Sequence, residues 1–485
     1  MQSKHEKTVV EMASEPLLFK GENGLVQQIQ IAPKKMEEKE EATSVTKQKR
    51  SSFHDVHTSK ISHPTSFLET LIHLLKGNIG AGLFAMGDAF KHAGLLLAPI
   101  LTVILGAICI YSNHLLLNSA HYIREKKKLI VDPSFAETVE LCFECGPKSF
   151  KRWTHAVRIS VKVFIVITQL GFCCVYFVFV SSTAKKVLIT HGIDYDVRFY
   201  MAIMFVPVLL SCLIRTLKFL TPISLLSNVF LLSGIVLTLY LSSTDLPSIS
   251  SRQAVADWYS LPLFFGTTIY AFEGISLVIP LQNEMRNQKK FSSPFGVLNI
   301  GMFIVMLILI SMGFIGYLKY GEEVRGSVSL NLPIDSPLTE GVQIAVALGI
   351  VFSYALQFYI AADLLWCEID DSWGPFKKPI CGEIILRSLL VLLTFVLAAV
   401  VPQLGLFISL VGAVSSTALA LVYPALCDIA IRTCPPEEGP LKTSDNILRL
   451  LLDVITLIVA FIGFILGTYY SLTAIIDAFT IPTTH

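Results

Sequence analysis

The sequence predicts an all-α polytopic membrane protein with eleven transmembrane helices. Spans 1–5 and 6–10 form a 5+5 inverted repeat, and one extra helix is appended. Three observations carry that prediction. Only 15% of the 485 residues are charged and 53% are hydrophobic, whereas a soluble domain carries about 25% charged residues. Eleven separate runs reach or approach the ~20 mostly apolar residues needed to cross a bilayer. Two of those runs, the first and the sixth, are interrupted by glycine and polar residues, and they lie five spans apart.

Residues 1–62 come first and differ in kind from the rest. Nineteen of them are charged, 31%, against 13% of the remaining 423 residues. The run Lys34-Lys35-Met36-Glu37-Glu38-Lys39-Glu40-Glu41 is typical of this segment, which has no sustained apolar period. Such a composition cannot bury enough apolar surface to fold, so a disordered cytosolic tail is expected. No apolar stretch lies near Met1, so no cleaved signal peptide is expected. His54, His57 and His63 have no matching acidic or thiol partners there, so no metal site is read.

The transmembrane domain is expected over 63–475, with spans near 66–90, 94–120, 156–182, 198–214, 221–243, 258–281, 294–319, 338–366, 382–402, 404–427 and 446–470. The fourth run is short. The ninth and tenth are one long apolar stretch, divided at Pro402-Gln403-Leu404-Gly405 because Pro and Gly together favour a turn. Residues 476–485 are read as a short exofacial tail. With the N-terminus cytosolic, sixteen Lys and Arg fall in the inside loops and six outside, which favours that orientation. The ten cysteines all avoid the exofacial loops. Cys142 and Cys145 form one C-x-x-C without a second pair, which reads as two free thiols. No N-x-[ST] sequon is present, so N-glycosylation is not expected.

The informative residues are the polar ones inside the spans. Span 1 reads Leu71-Ile72-His73-Leu74-Leu75-Lys76-Gly77-Asn78-Ile79-Gly80-Ala81-Gly82-Leu83. Each Gly costs about 1 kcal/mol relative to Ala in a helix interior, so this segment is expected to unwind near the midplane. Span 6 reads Phe264-Phe265-Gly266-Thr267-Thr268-Ile269-Tyr270-Ala271-Phe272-Glu273-Gly274-Ile275 and carries a second break with a carboxylate at its centre. In inverted-repeat folds such breaks meet at the midplane, where freed backbone groups bind a small zwitterion or ion. The alternative is that the glycines only permit close helix packing. A carboxylate at the centre of a span costs roughly 2.5–3.5 kcal/mol on insertion scales. Glu273 therefore reads either as a proton-binding group on a pathway or as a hydrogen bond locking two helices. A histidine can change charge near physiological pH, which suits proton coupling, so His73 reads either as a coupling group or as an ordinary apolar-face packing histidine. Lys76 either snorkels or pairs with a carboxylate such as Glu273. Thr267, Thr268 and Tyr270 are candidates to line the cavity. Asn228, Ser353, Tyr354 and Gln357 either reach the cavity or join helices.

Four stretches together resemble one family. They are Leu71 to Gly80; Tyr270-Ala271-Phe272-Glu273-Gly274 with Leu281-Gln282-Asn283-Glu284-Met285; Tyr320-Gly321 with Leu330-Asn331-Leu332-Pro333; and Cys174-Val175-Tyr176-Phe177. The chain resembles the proton-coupled amino acid transporters, a branch of the amino acid/auxin permease superfamily, from about residue 64 to 475. The resemblance implies a LeuT-like fold and symport of small neutral amino acids with protons, with no cofactor. It ties His73 to proton coupling, and makes the stretch Gly77, Asn78, Gly80, Ala81 and Gly82 the holder of the substrate's backbone groups. Thr267, Tyr270, Glu273 and Gly274 complete the expected site. Many relatives have Gly-Thr-Gly where this chain has Gly80-Ala81-Gly82. Relatives act at the plasma membrane and on lysosomes, and some sense nutrients.

Other classes stand beside symport. One is a vesicular or sodium-coupled carrier on the same fold. Another is an amino acid sensor that signals through cytosolic partners of the tail. An enzyme is not expected, since no H-E-x-x-H or Walker A pattern occurs. No T-V-G-Y-G filter marks a potassium channel, and the balance of 38 basic to 37 acidic residues gives no pull towards nucleic acid.

Overall fold

A computed structural model of the chain describes residues 64–215, 217–333, 337–374, 376, 378–433 and 443–480. The predicted tail, with its three histidines, lies outside the described residues. Among the described residues the chain is nearly all helical, and the one β pairing is an isolated bridge between Thr65 and Met285.

The first span is divided into α1 (Phe67–Asn78), α2 (Ala81–Phe84) and α3 (Met86–Ala93). Span 2 is α4 (Leu97–Lys127). Two helices that the hydropathy did not predict follow it, α5 (Phe135–Cys145) and α6 (Lys148–Lys151). Next come α7 (Thr154–Thr190), α8 (Val197–Cys212) and α9 (Leu217–Ser242). Span 6 is divided into α10 (Leu261–Ala271) and α11 (Ile275–Glu284). It is followed by α12 (Val297–Tyr320), α13 (Pro337–Trp373) and α14 (Pro379–Val400). Span 10 starts as α15 (Leu404–Val411), widens into π-helical stretches Gly412–Ser416 and Ala418–Val422, and ends as α16 (Tyr423–Arg432). The chain ends in α17 (Thr443–Thr480).

Nine runs among the described residues are long and apolar enough to cross a membrane. The divided first span and the sixteen-residue α8 are not among the nine. The break between α14 and α15 falls at Pro402, where the turn chemistry predicted it. The last helix continues to Thr480, so residues 476–480, read as exofacial tail, are helical. Ala474, Ile475, Ile476, Ala478 and Phe479 contain no helix breaker, and the first obstacle is Pro482, which disfavours helix from the residue before it.

Local chemistry explains the starts of the elements. Ser66 and Glu69 form a capping box at α1: the Ser66 N–H donates to Glu69 Oε2 at 2.8 Å, and the Glu69 N–H donates to Ser66 Oγ at 3.4 Å. Two orphan donors are satisfied reciprocally. Ser134 and Glu137 repeat the device at α5.

The helices sort into two groups. The pieces of span 1 pack on α10, α11 and α12, with α4 alongside. Helix α13 packs on both α7 and α9, and α8 and α14 close that group. Polar side chains join the second group. Ser227 Oγ donates to the Gly349 carbonyl and meets Ser353 Oγ, both at 2.7 Å. Tyr354 Oη meets Thr394 Oγ1 at 2.7 Å. Arg387, 1% exposed, donates to Glu383 Oε1 and to the Cys212 carbonyl, both at 3.0 Å, and Arg215 holds the other Glu383 oxygen. Each buried charge is thereby paired, as burial demands.

Where α1 begins and α11 ends, the backbone is latched. The Thr65 N–H donates to the Glu284 carbonyl at 2.9 Å, and the Arg286 N–H donates to the Thr65 carbonyl at 3.0 Å. Asp132, between α4 and α5, completes the latch. Its carboxyl accepts from Gln282 Nε2 at 3.1 Å and pairs with Arg124 at 3.2 Å, and its carbonyl accepts from Asn283 Nδ2 at 2.9 Å. Burial pushes the Asp132 carboxyl above its ordinary value of 3.8, and the Arg124 guanidinium pulls against that rise. A folded-state pKa above the unfolded value means stability that is complete below 3.8 and is lost as pH rises through the folded pKa. Asp132→Asn is therefore expected to flatten the stability–pH curve of the detergent-solubilised protein over that acidic window. An unchanged curve in a melting titration would show that Asp132 makes no such contribution.

Candidate functional site

The two breaks touch. Helix α1 stops at Asn78 because Ile79 turns extended, at φ −94° and ψ 108°. Helix α2 restarts after Gly80, which is also extended. In span 6 the residues Phe272, Glu273 and Gly274 separate α10 from α11. A Cβ built on Gly274 would lie 2.8 Å from Asn78 Oδ1 and 2.9 Å from Asn78 Nδ2. Only a glycine lets the Asn78 amide lie flat against this part of the chain.

At that contact several polar atoms are buried without a partner. Asn78, 6% exposed, donates its Nδ2 to the Leu74 carbonyl at 2.9 Å, and its Oδ1 is left unpaired. Glu273 is 5% exposed, and its Oε2 is unpaired. Thr268 Oγ1 and Ser416 Oγ are also unpaired. Ser416 is the polar neighbour of the Glu273 carboxyl, although the two close no well-aligned hydrogen bond. It belongs to the first π-helical stretch, and such widened turns concentrate at functional sites. Nearly all buried side-chain polar atoms in proteins are bonded, so the unpaired atoms of Asn78, Glu273 and Ser416 about the two breaks mark a place suited to a polar ligand.

Aromatic walls bound this place. A Cβ on Gly82 would lie 2.8 Å from the Tyr270 ring, and one on Gly80 would lie 3.6 Å from Tyr176 Oη. Phe172 meets the Tyr270 ring edge-on, with centroids 4.8 Å apart.

Most of the predicted residues gather here: Asn78, Gly80, Ala81, Gly82, Thr267, Tyr270, Glu273 and Gly274 all lie at or beside the two breaks. The expected unwinding from Gly77 to Gly82 is narrower than the glycines suggested. Gly77 and Asn78 remain in α1, Ala81 and Gly82 are in α2, and Ile79 and Gly80 alone are non-helical. Gly77 instead gives room to Leu277, which would lie 2.6 Å from a Cβ there. The fold does not bring His73 to the break. It sits on the exposed flank of α1 with Leu68 and Ile72. Lys76 neither snorkels freely nor meets Glu273: its Nζ donates to Ser224 Oγ on α9. Ser353 and Tyr354 join helices, as one of their two readings held.

Tyr176, Phe172 and Ser416 escaped the sequence reading. Tyr176 lies in a stretch quoted for the family resemblance, which offered a signal. The other two are ordinary span residues that only the packing brings to the site.

The chain matches the family described as "Transmembrane amino acid transporter protein" over residues 63–473. It belongs to that family. This family member is similar to "Proton-coupled amino acid transporter-like protein pathetic" of Drosophila melanogaster, at 35% identity over 373 residues, 76% of this chain and 78% of the relative. It is similar to "Probable amino acid transporter skat-1" of Caenorhabditis elegans, at 24% identity over 420 residues, 85% of this chain and 90% of the relative. Its fold is similar to that of inward-facing Mhp1, a LeuT-fold transporter, with a TM-score of 0.55 and 13% identity over 87% of this chain and 93% of that one. The amino acid transporter is thus a LeuT-fold membrane protein whose family and fold are those of carriers, not enzymes.

Proposed function

We propose that this transporter carries small neutral amino acids of the glycine, alanine and proline type together with protons. The observation that carries the reading is the cluster of buried, unpaired polar atoms where the two breaks touch, walled by Tyr176, Tyr270 and Phe172. An amino acid's ammonium and carboxylate groups need polar partners, and interrupted spans supply them at the midplane. The Asn78 amide, the backbone of Gly80 to Gly82, and Thr267 and Gly274 across the gap serve the substrate's main-chain groups. The aromatic walls admit only a small side chain. Glu273 takes the proton, since a neutral carboxyl is tolerated in a closed site and a carboxylate is not. His73 serves coupling from the exposed flank of α1.

In this reading the divided run 67–93 and α8 also cross the membrane, which makes eleven spans. The N-terminus is cytosolic and the C-terminus extracellular or lumenal, supported by the sixteen-to-six division of basic residues. The membrane is the plasma membrane, the lysosomal membrane or both, and the tail is free to meet cytosolic partners.

Purified protein in liposomes tests the transport reading. Glycine, alanine and proline uptake should rise several-fold under an inward proton gradient and be indifferent to sodium. Uptake that requires sodium would replace protons as the coupling ion, and binding without flux under any gradient would favour a sensor. His73→Ala is expected to lose the acid stimulation while keeping surface expression. An unchanged pH profile would reduce His73 to a surface residue.

A further inference from the structure

A second buried acidic group lies away from the breaks, where α4, α16 and α17 meet. Asp453 on α17 is 0% exposed, one turn after the exposed Arg449 and near the start of a long apolar run. Tyr111 Oη on α4 donates to Asp453 Oδ1 at 2.7 Å, while Asp453 Oδ2 has no partner. The carboxyl of Asp428 on α16, itself 5% exposed, is within hydrogen-bonding reach of Asp453. Asp428 is held by Arg432 one turn further along α16. As carboxylates both aspartates are acceptors only, so no bond can join them and Oδ2 stays unsatisfied.

The charges around the pair do not balance it. Among the described residues, Tyr111 faces it from α4 and Arg432 from α16, the Cys142 thiol on α5 lies near Asp428 and against Cys427, and Arg449, one turn before Asp453 on α17, is exposed outside the packing. Helices α10 and α15 and the π-helical stretches also pack on α17, and none of them contains a charged residue. Two carboxyls therefore face one guanidinium. Like charges at this separation in a closed space cannot both ionise, as in acid pairs that share one proton.

We propose that Asp453 and Asp428 hold one proton between them, forming a proton-binding site separate from the breaks. The proton sits on Asp453, whose Oδ2–H donates to the Asp428 carboxylate, and Arg432 keeps its partner. With the proton bound, α17 is clasped to α4 and α16. Without it, two carboxylates repel inside the packing and the clasp loosens. The site rests on this geometry alone and holds whichever ion drives transport.

Infrared spectroscopy of the full-length protein in lipid tests it, through the carbonyl stretch of protonated carboxyl groups at neutral pH. Difference spectra between wild type and variant remove the contribution of Glu273. Asp453→Asn should remove one protonated-carboxyl component, because the remaining Asp428 is ionised against Arg432. Tyr111→Phe should keep that component and shift its frequency, because one hydrogen bond to the carboxyl is lost. An intact component in Asp453→Asn overturns the proposal. Where that variant does not fold, Tyr111→Phe decides: a shifted component supports the site, and an unshifted or absent one overturns it.

Discussion

Glu273→Gln is expected to abolish proton-driven accumulation, lowering it at least tenfold, while the protein still reaches the membrane. Glutamine matches the shape and hydrogen-bonding capacity of a protonated glutamate but cannot release a proton. Glu273 is 5% exposed, its Oε2 is unpaired, and its polar neighbour is Ser416. Removing its ionisation therefore breaks no hydrogen bond that holds the fold, and the loss should appear in function rather than in stability. The decisive measurement is counter-flow against gradient-driven uptake in liposomes. Exchange of labelled for unlabelled substrate should survive in Glu273→Gln, and concentrative uptake should not. Full accumulation in the variant would make Glu273 a structural residue.

Gly412→Ala is expected to have the largest effect on stability. Gly412 opens the first π-helical stretch of span 10, and a Cβ there would fall inside the Gly266 carbonyl of α10. Gly266 is tight in return, since its own Cβ would strike the Ser409 carbonyl at the end of α15. Two backbones are in direct contact, so no flexible side chain can yield. Overpacking of a core costs typically 1–3 kcal/mol, and backbone against backbone should reach or exceed the upper figure. Detergent-extracted Gly412→Ala should melt well below wild type or fail to accumulate. Gly341→Ala is the control: nothing lies within 4 Å of its Cβ, so no loss of stability is expected, and the better helix propensity of Ala is worth up to about 1 kcal/mol in the other direction. Equal melting of wild type and Gly412→Ala would show that span 10 can slide away from span 6 at little cost.

The sequence was most informative about the solvent. Charge depletion and run length are properties of composition, so membrane spans, the Pro402 division and the two interrupted runs were all legible before any coordinates. The first break was legible for the same reason: Gly77, Gly80 and Gly82 within six residues remove helix propensity wherever they fall in space. Its extent was not, because packing restores helix at Gly77, where Leu277 fills the space beside the backbone. Helices α5 and α6 were missed because they are short and amphipathic or polar, below the length at which hydropathy speaks.

Glu273 could be picked out alone, because a carboxylate amid apolar residues is costly in any membrane fold. Its company could not. Asn78 against Gly274, Tyr176 beside Gly80, and Ser416 beside Glu273 join residues that lie between about a hundred and two hundred positions apart. The partner of Lys76 likewise lies on another span, at Ser224, and His73 turns to the exposed flank by the angular position it takes on α1.

What the sequence by itself determined is therefore the medium, the presence of many long apolar runs and the two places where regular helix fails, since these follow from residue type and short-range order. What only the tertiary structure decided is which polar atoms meet at those places, and that Asp453, Asp428 and Tyr111 meet elsewhere. Hydrogen-bonding and steric partners depend on distances across helices, and no periodicity along the chain encodes them.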